Sequence, residues 1–150
     1  MAETEQNPSA VRVYERVREE VVEHRAVDEA EAVIALAWVE ELAETRQAAL
    51  GQIAALSVAQ QVARERLRKA EAAGVPGDLA RARAAVAAVR SEQEAGAQHF
   101  RAVIARVDAE LANAQSAGLE RGRRAERDLE RLRIAWTGAY GGGTPSSEHG

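Results

Sequence analysis

The sequence contains no cysteine and very few aromatic residues, with one Phe, two Trp and two Tyr among 150 residues. The absence of cysteine excludes both a disulfide framework and thiol chemistry. Because aromatic side chains are scarce and alanine supplies much of the apolar content, we do not expect a bulky globular core. The abundance of Ala, Glu, Arg and Leu is typical of coiled coils and long helices.

The chain also has no strong positive charge and no long hydrophobic run. Its net charge of −4 gives no general attraction to nucleic acid. The first residues are polar and acidic, unlike a signal peptide. The longest apolar run, residues 32–39, is too short to span a bilayer. We therefore expect a cytoplasmic protein with no membrane span, or alternatively one that is secreted without a cleaved signal peptide.

Helix-breaking residues cluster at the two ends of the chain and at one central turn, which carries Gly74, Pro76 and Asp78. Glycine suits a helix C-terminus, proline cannot continue a helix, and aspartate can cap the next one. Connections this short join antiparallel neighbours. The pattern predicts one helix over residues 9–73, a turn over 74–77 and a second helix over 78–137. Flexible segments are expected at 1–8 and 138–150.

The predicted fold is therefore all-α, a long antiparallel helical hairpin of the coiled-coil type that forms a single domain. Spacings of three, four and seven residues between apolar positions indicate a seam along each helix. An alternative is that the helices break near Gly51 and Gly118 and fold into a shorter bundle. The seam is regular in the later half of the first helix and irregular in the earlier half, near His24 and Asp28. The apolar positions of that earlier half are Val13, Val17, Val21, Val27, Ile34, Trp38 and Leu42. The seam of the second helix continues through Ala114, Gly118, Gly122, Ala125, Leu129, Leu132 and Trp136.

Charge supports this hairpin, because the first 50 residues hold 12 acidic and 5 basic side chains whereas residues 121–133 hold six arginines. A turn centred between Val75 and Pro76 places residue i opposite roughly residue 151 − i. Sets of ion pairs can select such a register. The expected neighbours are Tyr14 with Trp136, and Glu19, Glu20 and Glu23 with Arg127, Arg131 and Arg124.

The run over residues 32–39 is apolar on every helical face, and a two-helix hairpin can cover only one face. We therefore predict a contact with a protein partner, most simply a second copy in a homo-oligomer. The alternative is that alanine tolerates solvent, so that only a few large side chains need a cover. The predicted partner interface comprises Ile34, Leu36, Trp38 and Val39, with Tyr14 and Trp136 at the open end.

No motif predicts catalysis. Glu20, Glu23 and His24 have metal-ligand character, but a di-iron bundle needs a second Glu-x-x-His copy that is absent, so no metal or cofactor is expected. There is no Gly-rich phosphate loop after a strand, and we expect neither an enzyme nor a small-molecule substrate. An anion contact, or an alternative role as a nucleic-acid-linked regulator, would use Arg121, Arg123, Arg124 and Arg127.

Residues 136–140 read Trp-Thr-Gly-Ala-Tyr. This five-residue segment resembles the Trp-x-Gly element of the helical-hairpin proteins exported by type VII secretion, which are also cysteine-free and leaderless. The resemblance implies an alternative function as a leaderless export substrate. Two features depart from that family. Its Trp-x-Gly element lies in the turn between the helices, and its Tyr is followed four residues later by an acidic residue, where this chain has Thr144.

Overall fold

A computed structural model describes residues 7–141, which form two helices, α1 (Pro8–Ala73) and α2 (Pro76–Tyr140). The helices pack as an antiparallel hairpin, and the described residues contain no strand. The predicted all-α helical hairpin is thus confirmed. The predicted flexibility of residues 1–6 and 142–150 concerns positions outside the described residues.

The turn between the helices is shorter than predicted. Gly74 has a φ of 68°, the left-handed conformation that ends a helix and that glycine adopts without steric cost. Helix α2 then begins at Pro76, two residues before the predicted start, because proline presets φ for the first helical position. Asp78 therefore lies inside the first turn of α2, and its carboxylate accepts a hydrogen bond from Arg81 at 2.9 Å.

Helix α1 begins at Pro8, one residue before the predicted start. The Asn7 side chain caps it by accepting a hydrogen bond from the backbone N–H of Ser9 at 3.0 Å, and Pro8 follows as the first helical residue. Helix α2 ends at Tyr140 rather than at the predicted Thr137. The helix passes through Gly138 and ends where Gly141 adopts a φ of 73°.

Both helices are continuous through Gly51 and Gly118, so the described chain does not break into the shorter bundle considered as an alternative. The chain divides into two compact units, and the single helical domain stays a prediction. We call residues 38–112 the turn unit. We call residues 1–37 together with 113–150, of which 7–37 and 113–141 are described, the terminal unit.

The turn unit has an apolar seam. Residues 42, 49, 56 and 63 repeat every seven positions, which keeps them on the face of α1 that meets α2. Gly96 of α2 lies against Leu56, and a Cβ on Gly96 would stand 2.8 Å from Leu56 Cδ1, so the helices approach closely there. The buried apolar residues of this unit are Leu42, Ala49, Ala63, Ala97 and Val107.

The terminal unit keeps the seven-residue repeat on α1 but fills it differently. Four half-buried positions, Tyr14, Val21, Asp28 and Ala35, continue the repeat of the turn unit. The other half-buried residues of α1 in this unit are Ala10, Val11, Val17 and Glu20. Of the apolar positions that the sequence singled out here, Val17 and Val21 are half-buried, whereas Val13, Val27 and Ile34 are exposed, so the prediction is wrong for those three. The large apolar side chains suggested a seam, whereas the repeat places Asp28 and Ala35 on the inner face.

On α2 the predicted seam positions Ala114, Gly118, Leu132 and Trp136 are half-buried, but the stretch between Gly118 and Leu132 departs from the prediction. Arg121 is half-buried and Asp128 is buried, whereas the predicted seam residues Gly122, Ala125 and Leu129 are exposed. Among the described residues of this unit, Ala139 is the one buried apolar residue. The helices of this unit therefore pair through half-buried apolar side chains together with polar contacts, and not through a fully buried apolar seam.

Candidate interaction surface

The centre of the terminal unit is a polar pair in the helix seam. His24 Nδ1 lies 2.9 Å from Asp128 Oδ2, and the other carboxylate oxygen of Asp128 accepts a hydrogen bond from Arg131 at 3.4 Å. Asp128 is only 8% exposed, and no buried side-chain polar atom within residues 7–141 lacks a partner. Asp128 is the buried member of this pair, whereas the His24 side chain is 55% exposed. Since a buried carboxylate left without a partner is costly, the contacts of Asp128 favour this helix register.

A second set of ion pairs joins the helices on the same side. Arg131 donates to Glu20 at 2.7 Å, as predicted, and this hydrogen bond raises the pKa of the Arg131 guanidinium. Arg124 pairs with Asp28 at 2.6 Å and more weakly with Glu31 at 3.4 Å. The prediction that Arg124 pairs with Glu23 is therefore wrong by about one helical turn, because Asp28 lies directly on the seam.

The predicted pairing of Arg127 with Glu19 is also wrong. Arg127 donates instead to Glu120 on its own helix at 3.2 Å, and this bond lowers the pKa of the Glu120 carboxyl below its ordinary value. The overall register is nevertheless confirmed to within a residue. The numbers of the paired residues add to 152 for His24–Asp128 and Asp28–Arg124, to 151 for Glu20–Arg131 and to 150 for Tyr14–Trp136.

An aromatic cluster lies near the helix ends of the terminal unit. The predicted contact of Tyr14 with Trp136 is confirmed, with ring centroids 5.4 Å apart in an edge-to-face arrangement. Tyr140 completes the cluster at 5.7 Å from Tyr14 and 4.4 Å from Trp136. Sequence reasoning missed Tyr140 because the helix was expected to end at Thr137, although a spacing of four residues from Trp136 is the signal for a shared helix face.

A groove of about 390 Å³ opens beside the polar seam of the terminal unit. The groove exists because α2 has the small residues Gly122 and Ala125 where a larger side chain would contact α1. The exposed Leu129 lies at one end of this stretch of small residues. Charged side chains of both signs border it, among them Arg25, Glu29 and Arg121. The apolar part of the groove is formed by Val21, Ala32, Gly122, Ala125 and Leu129.

Large apolar side chains are exposed around this groove and elsewhere on the terminal unit. Ile34 is 70% exposed and Leu36 is 62% exposed, so the predicted lack of cover over this run is confirmed for both. Trp38 is exposed and Val39 half-buried in the turn unit, and their role in a partner contact stays a prediction. Nine large apolar residues are exposed in the described part of the terminal unit, namely Val13, Val22, Val27, Val33, Ile34, Leu36, Leu119, Leu129 and Ile134.

The arginines considered for anion contact are mostly engaged with carboxylates. Arg123 and Arg127 both donate to Glu120, and Arg124 pairs across the helices. Arg121 borders the groove and forms no ion pair with any residue from 7 to 141. An anion contact by these residues stays a prediction.

The residues considered for metal binding do not form a ligand cluster in the described part of the chain. Glu20 and His24 are instead engaged by Arg131 and Asp128 of α2. The Trp136–Gly138 element lies within the last turns of α2, whereas the inter-helix turn is at Gly74. Its position thus differs from that in the type VII export family.

These features define the class of the protein as an antiparallel helical hairpin. Its turn unit has an apolar seam, whereas its terminal unit has polar residues in the seam and large apolar side chains on the surface. Comparisons with protein-family models, with curated proteins and with solved structures found no match. Neither described helix contains a segment that is long and apolar enough to cross a membrane.

Proposed function

We propose that this chain is a non-catalytic protein-interaction module, such as an adaptor, scaffold or assembly subunit, that self-associates through its terminal unit. One observation supports the proposal above the others. The described part of the terminal unit exposes nine large apolar side chains, yet the one apolar residue that it buries is Ala139.

This distribution is energetically unfavourable for an isolated unit. Each apolar Å² removed from water contributes about 25 cal/mol, so a partner that covered several of these side chains would contribute a few kcal/mol. Contiguous exposed apolar surface rimmed by polar residues is typical of interaction sites. A second copy is the partner we propose, because the surface carries charges of both signs and can complement itself.

The test compares two exposed valines of α1 that have similar surroundings. Val22 of the terminal unit is 61% exposed and Val58 of the turn unit is 57% exposed. We expect light scattering of the wild-type protein to give a multiple of the 16.1 kDa monomer mass. Val22→Glu should lower this mass at a given concentration, because it places a charge on the contact surface, whereas Val58→Glu should leave it unchanged.

Two outcomes would contradict the proposal. A wild-type mass of 16.1 kDa at the highest concentration studied would show that the chain does not self-associate. An equal loss of mass in Val22→Glu and Val58→Glu would show that the terminal unit is not the site of contact. Circular dichroism of both variants should show unchanged helicity, since each substitution lies on an exposed face.

A further inference from the structure

We propose that two copies pair antiparallel through the groove of the terminal unit, about a two-fold axis that passes beside Ala125. This inference rests on the proposed self-association and specifies its surface and geometry. It is supported by two independent complementarities of the groove, one of shape and one of charge.

The shape complementarity lies on α2. Leu129 is 62% exposed at one end of the groove, and Gly122 lies seven residues away on the same helix face. No heavy atom stands within 4 Å of the position that a Cβ on Gly122 would occupy. The groove therefore offers a projecting leucine and an empty position, with Ala125 between them.

A two-fold axis beside Ala125 brings these features together. The axis reverses the direction of α2, so that the second copy presents its Leu129 where the first copy has the space at Gly122. The same operation places the first Leu129 against the second Gly122. Each copy thus supplies one leucine and one recess, as a closed isologous interface requires.

The charge complementarity lies on α1 and obeys the same axis. The two inter-helix pairs nearest to Ala125, His24–Asp128 and Asp28–Arg124, each add to 152, so Ala125 of α2 is level with about residue 27 of α1. Arg25 and Glu29 lie two residues to either side of that level, and both border the groove. The two-fold operation therefore brings Arg25 of each copy to Glu29 of the other. Within one chain these two side chains form an exposed pair at 3.3 Å.

The first experiment fills the recess. Gly122→Leu should reduce the mass from twice 16.1 kDa to 16.1 kDa in light scattering, because the introduced side chain occupies the space for the second Leu129. Gly51→Leu is the matched control. Gly51 is also an exposed helical glycine with no heavy atom near its Cβ position, but it lies in the turn unit, so this variant should remain a dimer. A dimeric Gly122→Leu protein would overturn the inference.

The second experiment separates the contact between copies from the pair within one helix. Arg25→Glu and Glu29→Arg each place like charges opposite each other in the proposed dimer, so each variant alone should be monomeric. A mixture of the two should form a heterodimer, because every Arg25 or Glu29 position then faces the opposite charge. The lost ion pair within α1 cannot be restored by mixing, so an absent heterodimer would contradict the inference.

The third experiment uses the absence of native cysteine. In Ala125→Cys, the introduced thiols lie beside the two-fold axis, and mild oxidation should give a disulfide-linked dimer. Gly51→Cys should not cross-link. If the wild-type protein is a dimer but Ala125→Cys fails to cross-link and Gly122→Leu still dimerises, self-association stands and this groove is not its site. If the wild-type protein is monomeric at every concentration, the proposed function and this inference both fail.

Discussion

The same seven-residue repeat on α1 carries apolar residues in the turn unit and partly polar residues in the terminal unit. In the turn unit the repeat positions Leu42, Ala49 and Ala63 are buried and apolar. In the terminal unit the repeat passes through Asp28, and the opposing helix contributes the buried Asp128. A common backbone geometry can therefore carry an apolar seam that supplies stability and a polar seam that supplies register specificity.

The difference also explains where the apolar side chains of the terminal unit lie. Since polar groups occupy part of its seam, residues such as Val33, Ile34 and Leu36 point outward. The ion pairs between the helices of this unit are largely exposed and contribute little net stability, so this unit gains more from additional apolar cover than the turn unit does. Self-association would supply that cover.

The largest expected effect comes from the apolar seam of the turn unit. Leu42 is 4% exposed, and Leu42→Ala should lower the free energy of unfolding by about 2–4 kcal/mol through lost burial and a cavity. Ile134→Ala in the terminal unit is the comparison, because Ile134 is 59% exposed and should change stability by less than about 0.5 kcal/mol. Urea denaturation followed by circular dichroism measures both, and similar losses would remove the distinction between the units.

The next effect comes from the polar seam. Asp128→Ala should cost about 1–3 kcal/mol of unfolding free energy, because the exchange leaves His24 and Arg131 without their shared acceptor. Asp128→Leu should restore much of that loss, since an apolar residue can replace a buried charge without penalty once the site packs. Thermal melts of the two variants test this expectation, and a leucine variant less stable than the alanine variant would contradict it.

A smaller effect is expected at the aromatic cluster. Tyr14 forms edge-to-face contacts with both Trp136 and Tyr140, and such a pair contributes about 0.5–1.5 kcal/mol beyond its buried area. Tyr14→Leu keeps most of the apolar contact and should lower stability by about 1 kcal/mol. The fluorescence of Trp136 should shift toward that of an exposed tryptophan in this variant. Trp38→Phe, introduced into both the wild-type protein and Tyr14→Leu, removes the second tryptophan, so that only Trp136 is observed. An unchanged Trp136 spectrum would show that the cluster does not persist in solution.

The smallest effect concerns pH. Hydrogen bonds from Arg127 and Arg133 lower the pKa of Glu120 and Glu130, respectively, below the ordinary value of 4.5. The unfolded chain therefore binds protons at higher pH than the folded one. The stability contributed by these pairs is present above pH 4.5 and is lost as the pH falls through the lowered values.

Thermal melts between pH 6 and pH 2.5 should show this acid loss, and high salt should diminish it because both pairs are exposed. Glu130→Gln should make the melting temperature less sensitive to pH in this range. An identical pH profile for Glu130→Gln and the wild-type protein would contradict the expected contribution of the Glu130–Arg133 pair.

Much of the fold could be predicted because its signals are local. Gly74 and Pro76 mark the turn, and the position of the turn determines the antiparallel register, which placed Tyr14 beside Trp136 and Glu20 beside Arg131. The end of α2 was less accurate, since Gly138 lowers helix propensity without preventing a helix, and the left-handed Gly141 is the actual stop.

The seam of the terminal unit could not be predicted in the same way. Apolar periodicity is a reliable guide only where burial and hydrophobicity coincide, as at Leu42 and Val107. Here Asp128 lies on the inner face and Leu129 on the outer one, so the choice of the more apolar residue misplaced the seam locally, between the correctly predicted Gly118 and Leu132. The groove was missed for the same reason, because Gly122 and Leu129 had been assigned to the inner face.

Hydrogen–deuterium exchange at increasing protein concentration tests most directly whether a second copy covers the terminal unit. Association stabilises the unit that it covers, so amide protection of residues 7–37 and 113–141 should rise with concentration, most strongly near Gly122 and Leu129. Protection of residues 38–112 should start higher, because their seam is apolar, and should change less. Equal protection in both units at every concentration would contradict both the polar-seam comparison and the proposed self-association.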